Sequence, residues 1–239
     1  MFEGERRHVS QLPQRLFGAS AAPAPFDYNP PLDPLNIIHQ DDGFIIVSKP
    51  AGLLSVEGKP LEHKDCLECR VLKEFPSARL VHRLDMDTSG LMVLALNKEV
   101  LRHLGLQFER RKTKKTYIAR VCGRVEEERG VIDQPLICDW PNRPKQMISH
   151  EIGKEAITEW SVIKREAIAT RVELKPLTGR SHQLRVHMLH LGHSILGDRL
   201  YGDEQTFAAA DRLQLHAEQL TFHHPNGGEL VSFFDPCPF

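Results

Sequence analysis

No apolar run in this chain approaches the roughly 20 residues that a membrane-spanning helix needs, and Met1 to Phe17 lacks the apolar core of a secretory leader. Glu3 and Glu5 argue against an organellar transit peptide as well. Cysteine is scarce and odd in number. Cys66, Cys69, Cys122, Cys138 and Cys237 are scattered, which excludes a disulfide framework and suits reduced thiols in a cytoplasm. Neither sign of charge prevails: 31 basic against 32 acidic residues leave a net charge of −1, so attraction to a polyanion has to come from a local basic face. The metal and hydrolase motifs are missing too. Cys66-Leu67-Glu68-Cys69 has no second ligand pair at zinc-finger spacing, and the 13 histidines include no H-E-x-x-H, so no metal is implied. Gly192-His193-Ser194-Ile195-Leu196 falls short of the nucleophile elbow G-x-S-x-G, with leucine where the second glycine is required.

What is present is a globular composition, 41% hydrophobic and 26% charged over 239 residues. A chain of this length buries roughly 70–75% of its unfolded surface and needs no covalent staple. Residues 1–27 read as a disordered or surface-draped arm, because Gly18-Ala19-Ser20-Ala21-Ala22-Pro23-Ala24-Pro25 has no core-forming period. Residues 28–239 read as the folded domain. Strands are expected from Asn36 to Gln40 and Phe44 to Ser48 around an Asp41-Asp42-Gly43 turn, and at Leu91 to Leu96 and Thr116 to Val121. Further strands are expected at Ala156 to Ile163, Ala169 to Leu174, Gln214 to Thr221 and Glu229 to Phe234. Helices are fewer: Asp65 to Phe75, Lys98 to Glu109 with Leu101, Leu104 and Phe108 on one stripe, and Ser181 to Leu191 between an N-cap serine and Gly192. The pattern is α+β, a large, mostly antiparallel sheet decorated by a few helices.

His82-Arg83-Leu84-Asp85-Met86-Asp87-Thr88-Ser89-Gly90 sets a carboxylate two residues after a guanidinium. In an extended segment alternate side chains share a face, so Arg83 and Asp85 are expected to pair. Asp87 is expected to bond backbone in the Thr-Ser bend. Taken alone, such a run is a surface salt bridge before a turn. Elsewhere, positive charge is concentrated. Between Lys98 and Arg124 nine basic residues face two acidic ones, a local net of +7 centred on Arg110-Arg111-Lys112-Thr113-Lys114-Lys115. Lys175 to Gly197 contains three basic residues, four histidines and no acid, and two such segments favour a phosphate-tracking surface. Tyr117, one of three tyrosines, is either a core residue or a platform for a displaced base, the latter worth about 1–3 kcal/mol. Gly179-Arg180-Ser181-His182-Gln183-Leu184-Arg185 opens a helix, with Arg180 placed for an anion at its N-terminus and Arg185 as a second partner for Asp85.

These blocks, together with Lys49-Pro50-Ala51-Gly52-Leu53, Lys115-Thr116-Tyr117 and Gly197-Asp198 with Tyr201-Gly202, resemble the RluA family of pseudouridine synthases in residue type and order. The resemblance covers the chain from about Tyr28 onward. It implies a bisected mixed sheet with the active cleft across it, a catalytic domain over 28–239, no S4-type RNA-binding domain and no cofactor. It implies Asp85 as the catalytic carboxylate, Arg83 or Arg185 orienting it, and Tyr117 stacking on the everted base and helping to remove the C5 proton. It further implies RNA contacts from Arg110, Arg111, Lys112, Lys114, Lys115, Arg180 and His182. Pro135 to Pro144 and Tyr28-Asn29-Pro30-Pro31 resemble a dual-specificity member, which implies 23S ribosomal RNA and tRNA anticodon stem-loops as partners, with no protein partner. Ser194 departs from the proline usual after Gly-His, a loop change expected to leave the chemistry alone.

Overall fold

Phe44–Lys49 and Ser89–Ala95 are apolar on both faces, the pattern of strands covered from two sides, and both are buried almost throughout. The computed structural model describes residues 28–59 and 63–239; the arm expected over 1–27 lies outside the described residues. Its strands are β1 (Asn36–Gln40), β2 (Phe44–Lys49), β3 (Arg79–Leu80), β4 (Ser89–Ala95), β5 (Lys114–Cys122) and β6 (Arg129–Asp133). They continue as β7 (Leu136–Cys138), β8 (Gln146–Ile148), β9 (Ile157–Arg165), β10 (Ala169–Pro176), β11 (Leu215–His223) and β12 (Leu230–Phe234). The helices are α1 (Leu67–Glu74), α2 (Lys98–Glu109), α3 (Gln183–His190) and α4 (Glu204–Ala208). The main sheet runs β1-β2-β4-β11-β5-β10-β9-β6, with β3 on β4 and β12 on β11; β7 and β8 form a separate hairpin. The architecture is α+β, as expected.

The sheet is bisected where β4 meets β11. These two strands are parallel and share only the pairs Ser89–His216 and Gly90–Ala217, after which the same edge of β11 passes to β12. Gly90 is obligatory there: its φ is +111°, and a Cβ would lie 2.3 Å from the Ala217 carbonyl oxygen. Alternation along β4 then feeds two cores. Leu91, Val93 and Ala95 pack with α2 and Phe222, while Met92 and Leu94 pack with α1 and Val47. A third core, under α3, gathers Val121, Trp160, Val172 and Leu174 from β5, β9 and β10. Tyr117 touches the second and third of these, so it stands on the seam between the two halves.

A buried polar chain stitches that seam. Arg212 donates to Ser89 Oγ, which leaves the serine proton for His216 Nδ1 at 2.8 Å; His216 Nε2 donates to the Asp235 carbonyl at 2.9 Å. Burial keeps His216 neutral, and none of these groups lines the main cleft, so this serine–histidine–aspartate chain is a structural strut.

Three helices stand where the sequence pattern puts them, but α3 starts later. Ser181 does not cap it; His182 occupies the N-cap position in the left-handed region, φ 53°. The turn is held instead by buried Gln183, whose Oε1 accepts from Arg180 N (3.0 Å) and Thr178 Oγ1 (2.7 Å) while Nε2 donates to Ile157 O and Thr158 Oγ1. The two- and three-residue strands β3, β7 and β8 and the five-residue helix α4 give no periodic signal long enough to read, and β6, Arg129-Gly130-Val131-Ile132-Asp133, lacks apolar alternation.

Candidate active site

An open cleft of about 900 Å³ crosses the seam. One wall is the loop between β3 and β4, which carries Asp85; the other is the 178–185 segment leading into α3, and Tyr117 lines the cleft between them. The Asp85 side chain is about a quarter exposed and faces Arg185, with Nη1 3.6 Å from Oδ2, an ion pair rather than a hydrogen bond. Arg185 is itself only 2% exposed and binds Asp198 in bidentate fashion, Nε–Oδ2 2.8 Å and Nη2–Oδ1 2.6 Å. Asp198 Oδ1 also accepts from the backbone N–H groups of Leu200 and Tyr201. Burial alone would weaken the Arg185 charge, but the Asp198 pair and the Asp85 carboxylate outweigh it and hold the guanidinium protonated.

The other partners close around the same carboxylate. His182 Nε2 lies 4.0 Å from Asp85 Oδ1, and its Nδ1 meets the Tyr201 hydroxyl at 2.7 Å. Burial pushes the His182 pKa down, so it is neutral near pH 7. Burial, reinforced by the Asp85 carboxylate, pushes the Tyr117 hydroxyl well above its ordinary range, so it stays a phenol. Ser194, the departure from proline, reaches the Tyr201 carbonyl with its hydroxyl at 3.3 Å.

The aspartate loop is pinned from the segment after β2. Ser55 Oγ donates to Leu84 O (2.7 Å) and accepts from Leu84 N, fixing the residue before Asp85. Met86 O, just after it, accepts from Gly52 N (3.0 Å) and Lys49 Nζ (2.8 Å). Lys49 is completely buried and also donates to Pro50 O and Leu53 O, so all three ammonium protons are used. Its pKa is pulled to about 7 by burial, with Asp87 and Asp85 pulling the other way. Lys49→Met orphans two carbonyls, each costing about 1–3 kcal/mol, but it also removes a buried charge whose burial costs several kcal/mol. The two are of like size. We expect the melting temperature to move little while kcat falls roughly 10-fold or more as the loop loosens; an unchanged kcat would show the pin to be dispensable.

Two expectations are corrected. Arg83 does not pair with Asp85: residues 81–85 are not a strand, the i, i+2 rule does not apply, and Arg83 is exposed at the cleft mouth with no ion pair among the described residues. Arg185 is the partner instead. Asp87 does not bond the backbone of the bend; it pairs with Arg199 at 3.2 Å. The basic run divides. Arg111 and Lys115 line the cleft, whereas Arg110, Lys112 and Lys114 are exposed outside it. Arg111 holds a left-handed φ of 57° and pairs with Glu155, and Arg180 donates its Nε to the Glu155 carbonyl at 2.9 Å. Arg111 and His182 are the two non-glycine residues of positive φ among those described, and both line the cleft, where backbone strain tends to gather. His82 is a wedge: burial lowers its pKa to about 3, it stacks on Phe108 at 4.6 Å, and its Nε2 accepts from Val93 N.

Sequence reasoning assigned no role to Lys49, Ser55, Asp198 or Tyr201. The first lies in a recognised block, as do Asp198 and Tyr201, but buried lysine and a buried arginine–aspartate pair leave no local pattern. Among the described residues no helix is long and apolar enough to cross a membrane.

Comparison with known proteins identifies the family. A family model described as RNA pseudouridylate synthase matches residues 43–190, which hold Asp85, Tyr117 and Arg185. The dual-specificity RNA pseudouridine synthase RluA of Escherichia coli strain K12 is 54% identical over 215 residues, covering 89% of this chain and 98% of the relative. The protein of that name from Vibrio cholerae is 50% identical over 214 residues, covering 89% and 87%. Among solved structures, human RNA pseudouridylate synthase domain containing 1 superposes with a TM-score of 0.72 at 30% identity, covering 86% of this chain and 84% of that one. Human RNA pseudouridylate synthase domain containing 4 gives 0.68 at 28% identity over 85% and 88%. With its bisected sheet and a cleft built on one arginine-paired aspartate, the chain belongs to the RNA pseudouridylate synthase family.

Proposed function

We propose that this chain isomerises uridines to pseudouridine in both 23S ribosomal RNA and the anticodon stem-loops of certain tRNAs, in the cytoplasm, as the "dual-specificity" in its relatives' name suggests. The observation that carries the chemistry is the Asp85 carboxylate, open to the cleft and held by an arginine that is locked from behind by Asp198. The uridine leaves its stack, at a cost of a few kcal/mol, and enters the cleft. Asp85 starts the reaction at the ribose, by attack at C1′ or by taking a ribose proton; the N1–C1′ bond breaks, the uracil turns, and C5 joins C1′. No atom is gained or lost, so no cofactor or metal is required. Tyr117, a neutral phenol on the seam, offers a stacking face to the base. Either route consumes the negative charge of Asp85 and so removes one of the two causes that hold the Tyr117 pKa up, which favours its later use at the C5 proton. Exposed Arg110, Lys112 and Lys114 hold flanking phosphates, and Arg83, Arg180 and His182 contact RNA at the cleft mouth and wall.

The experiment is release of tritium from C5-labelled uridine, run in parallel on large-subunit RNA fragments and on anticodon stem-loops, with modified positions mapped in cells lacking the gene. Turnover on both RNA classes, matched by missing pseudouridines in both, is the expected result. Turnover on one class alone would reduce the reading to a single-specificity enzyme.

A further inference from the structure

Among the described residues, Lys115 is the cleft cation that is drawn in from the solvent without a carboxylate to answer it; Arg83, also unpaired, is exposed at the mouth. Arg185 is committed to Asp198 and Asp85, Arg111 to Glu155, and Arg180 leans on the Glu155 carbonyl. Lys115 has no carboxylate within ion-pair distance among the described residues, and its ammonium makes a single hydrogen bond, to Thr178 O at 3.2 Å. It is nonetheless partly withdrawn from water, and burial lowers its pKa to about 8. Its positive charge is felt at the adjoining His82, whose protonation it opposes further. A partly desolvated ammonium with two N–H donors that no described protein group takes up is costly to keep.

Its position says what would answer it. Lys115 and Tyr117 are two apart on β5, so their side chains leave the same face about 7 Å from each other. With the uracil against Tyr117 and its ribose toward Asp85, a cation about 7 Å from Tyr117 on the same face is within reach of the backbone of the same nucleotide. We propose that Lys115 binds the phosphate that adjoins the everted uridine, and thereby positions that nucleotide rather than the flanking stem. This rests on the RNA reading above and separates Lys115 from Arg110, Lys112 and Lys114, which lie outside the cleft. The phosphate is the 5′ or the 3′ neighbour of the target nucleoside, and the experiment tells the two apart.

Stem-loop RNAs containing a uridine that the wild-type chain converts are made with one methylphosphonate at a time, which removes the charge of a single phosphate. Wild type, Lys115→Met and Lys115→Arg are assayed on each under single turnover. Lys115→Met should lose about 10- to 100-fold in kcat/KM on unmodified RNA, the range for a hydrogen bond to a charged group. At one of the two phosphates next to the target, wild type and Lys115→Arg should lose a similar factor, and Lys115→Met should lose nothing further. The Lys115→Met protein should also melt above the wild type, since it sheds an uncompensated charge. Equal losses for wild type and Lys115→Met at every position would overturn the proposal in favour of a contact to the base. Coupling only at a phosphate more than one nucleotide from the target, or a lower melting temperature for Lys115→Met, would overturn it as well. Because the RNA is chosen by wild-type turnover, an error in the proposed RNA classes leaves this result intact.

Discussion

Asp85→Asn should abolish tritium release from C5-labelled RNA, by roughly 10³-fold or more, while RNA binding and the melting temperature stay near wild type. The amide is isosteric but neither attacks C1′ nor accepts a ribose proton, and its neighbours are poor substitutes. His182 is 4.0 Å from the carboxylate and burial makes it a weak base, and Tyr117 is a phenol. Stability is little affected because Asp85 is partly solvated and its contact to Arg185 is 3.6 Å, too long for a hydrogen bond. The control is two residues away. Asp87→Asn breaks a partly exposed pair with Arg199, worth at most about 1 kcal/mol, and should leave kcat within a few-fold. If Asp87→Asn were the silencing change and Asp85→Asn the mild one, the assignment of the reactive carboxylate would be wrong. Release of free uracil by the wild type would show that the enzyme cuts the glycosidic bond without rejoining it.

The contrast between these two aspartates also shows what the sequence could carry. Asp85 is legible because it sits in an ordered series of blocks, each with the residue types its chemistry needs. The partner of Asp87 is not, since Arg199 lies 112 residues away and only the fold brings it there. The same holds for Arg83 against Arg185. Adjacent residues tempt a local pairing rule that is valid in strands, but the chain from Val81 to Asp85 is a loop, and the guanidinium that reaches Asp85 comes from α3. Strands of five or more residues with apolar alternation, such as β1, β5 and β11, are expected and found to within a residue or two. Two- and three-residue strands have no period to detect. Lys49 and Ser55 illustrate a further limit: a lysine reads as surface and a serine as loop, whereas here both are buried because backbone carbonyls and amides wait for them.

Arg185→Ala should damage both folding and catalysis, and the two effects can be separated. Asp198 has no exposure, so removing its partner strands a carboxylate in the interior with only the Leu200 and Tyr201 N–H groups to hold it. Breaking such a pair from one side costs about 3–5 kcal/mol. Turnover should fall as well, because Asp85 loses its only guanidinium among the described residues. Arg185→Lys should recover part of the stability but little activity, since a single ammonium cannot grip Asp198 at two points and still face Asp85. The decisive protein is Arg185→Met combined with Asp198→Asn. The asparagine oxygen can still accept from Leu200 and Tyr201, and no charge remains to be stranded, so most of the lost stability should return in a urea titration. Tritium release should not return. A double variant that regained turnover along with its fold would mean that Arg185 serves only to satisfy Asp198, and that Asp85 works without a paired cation.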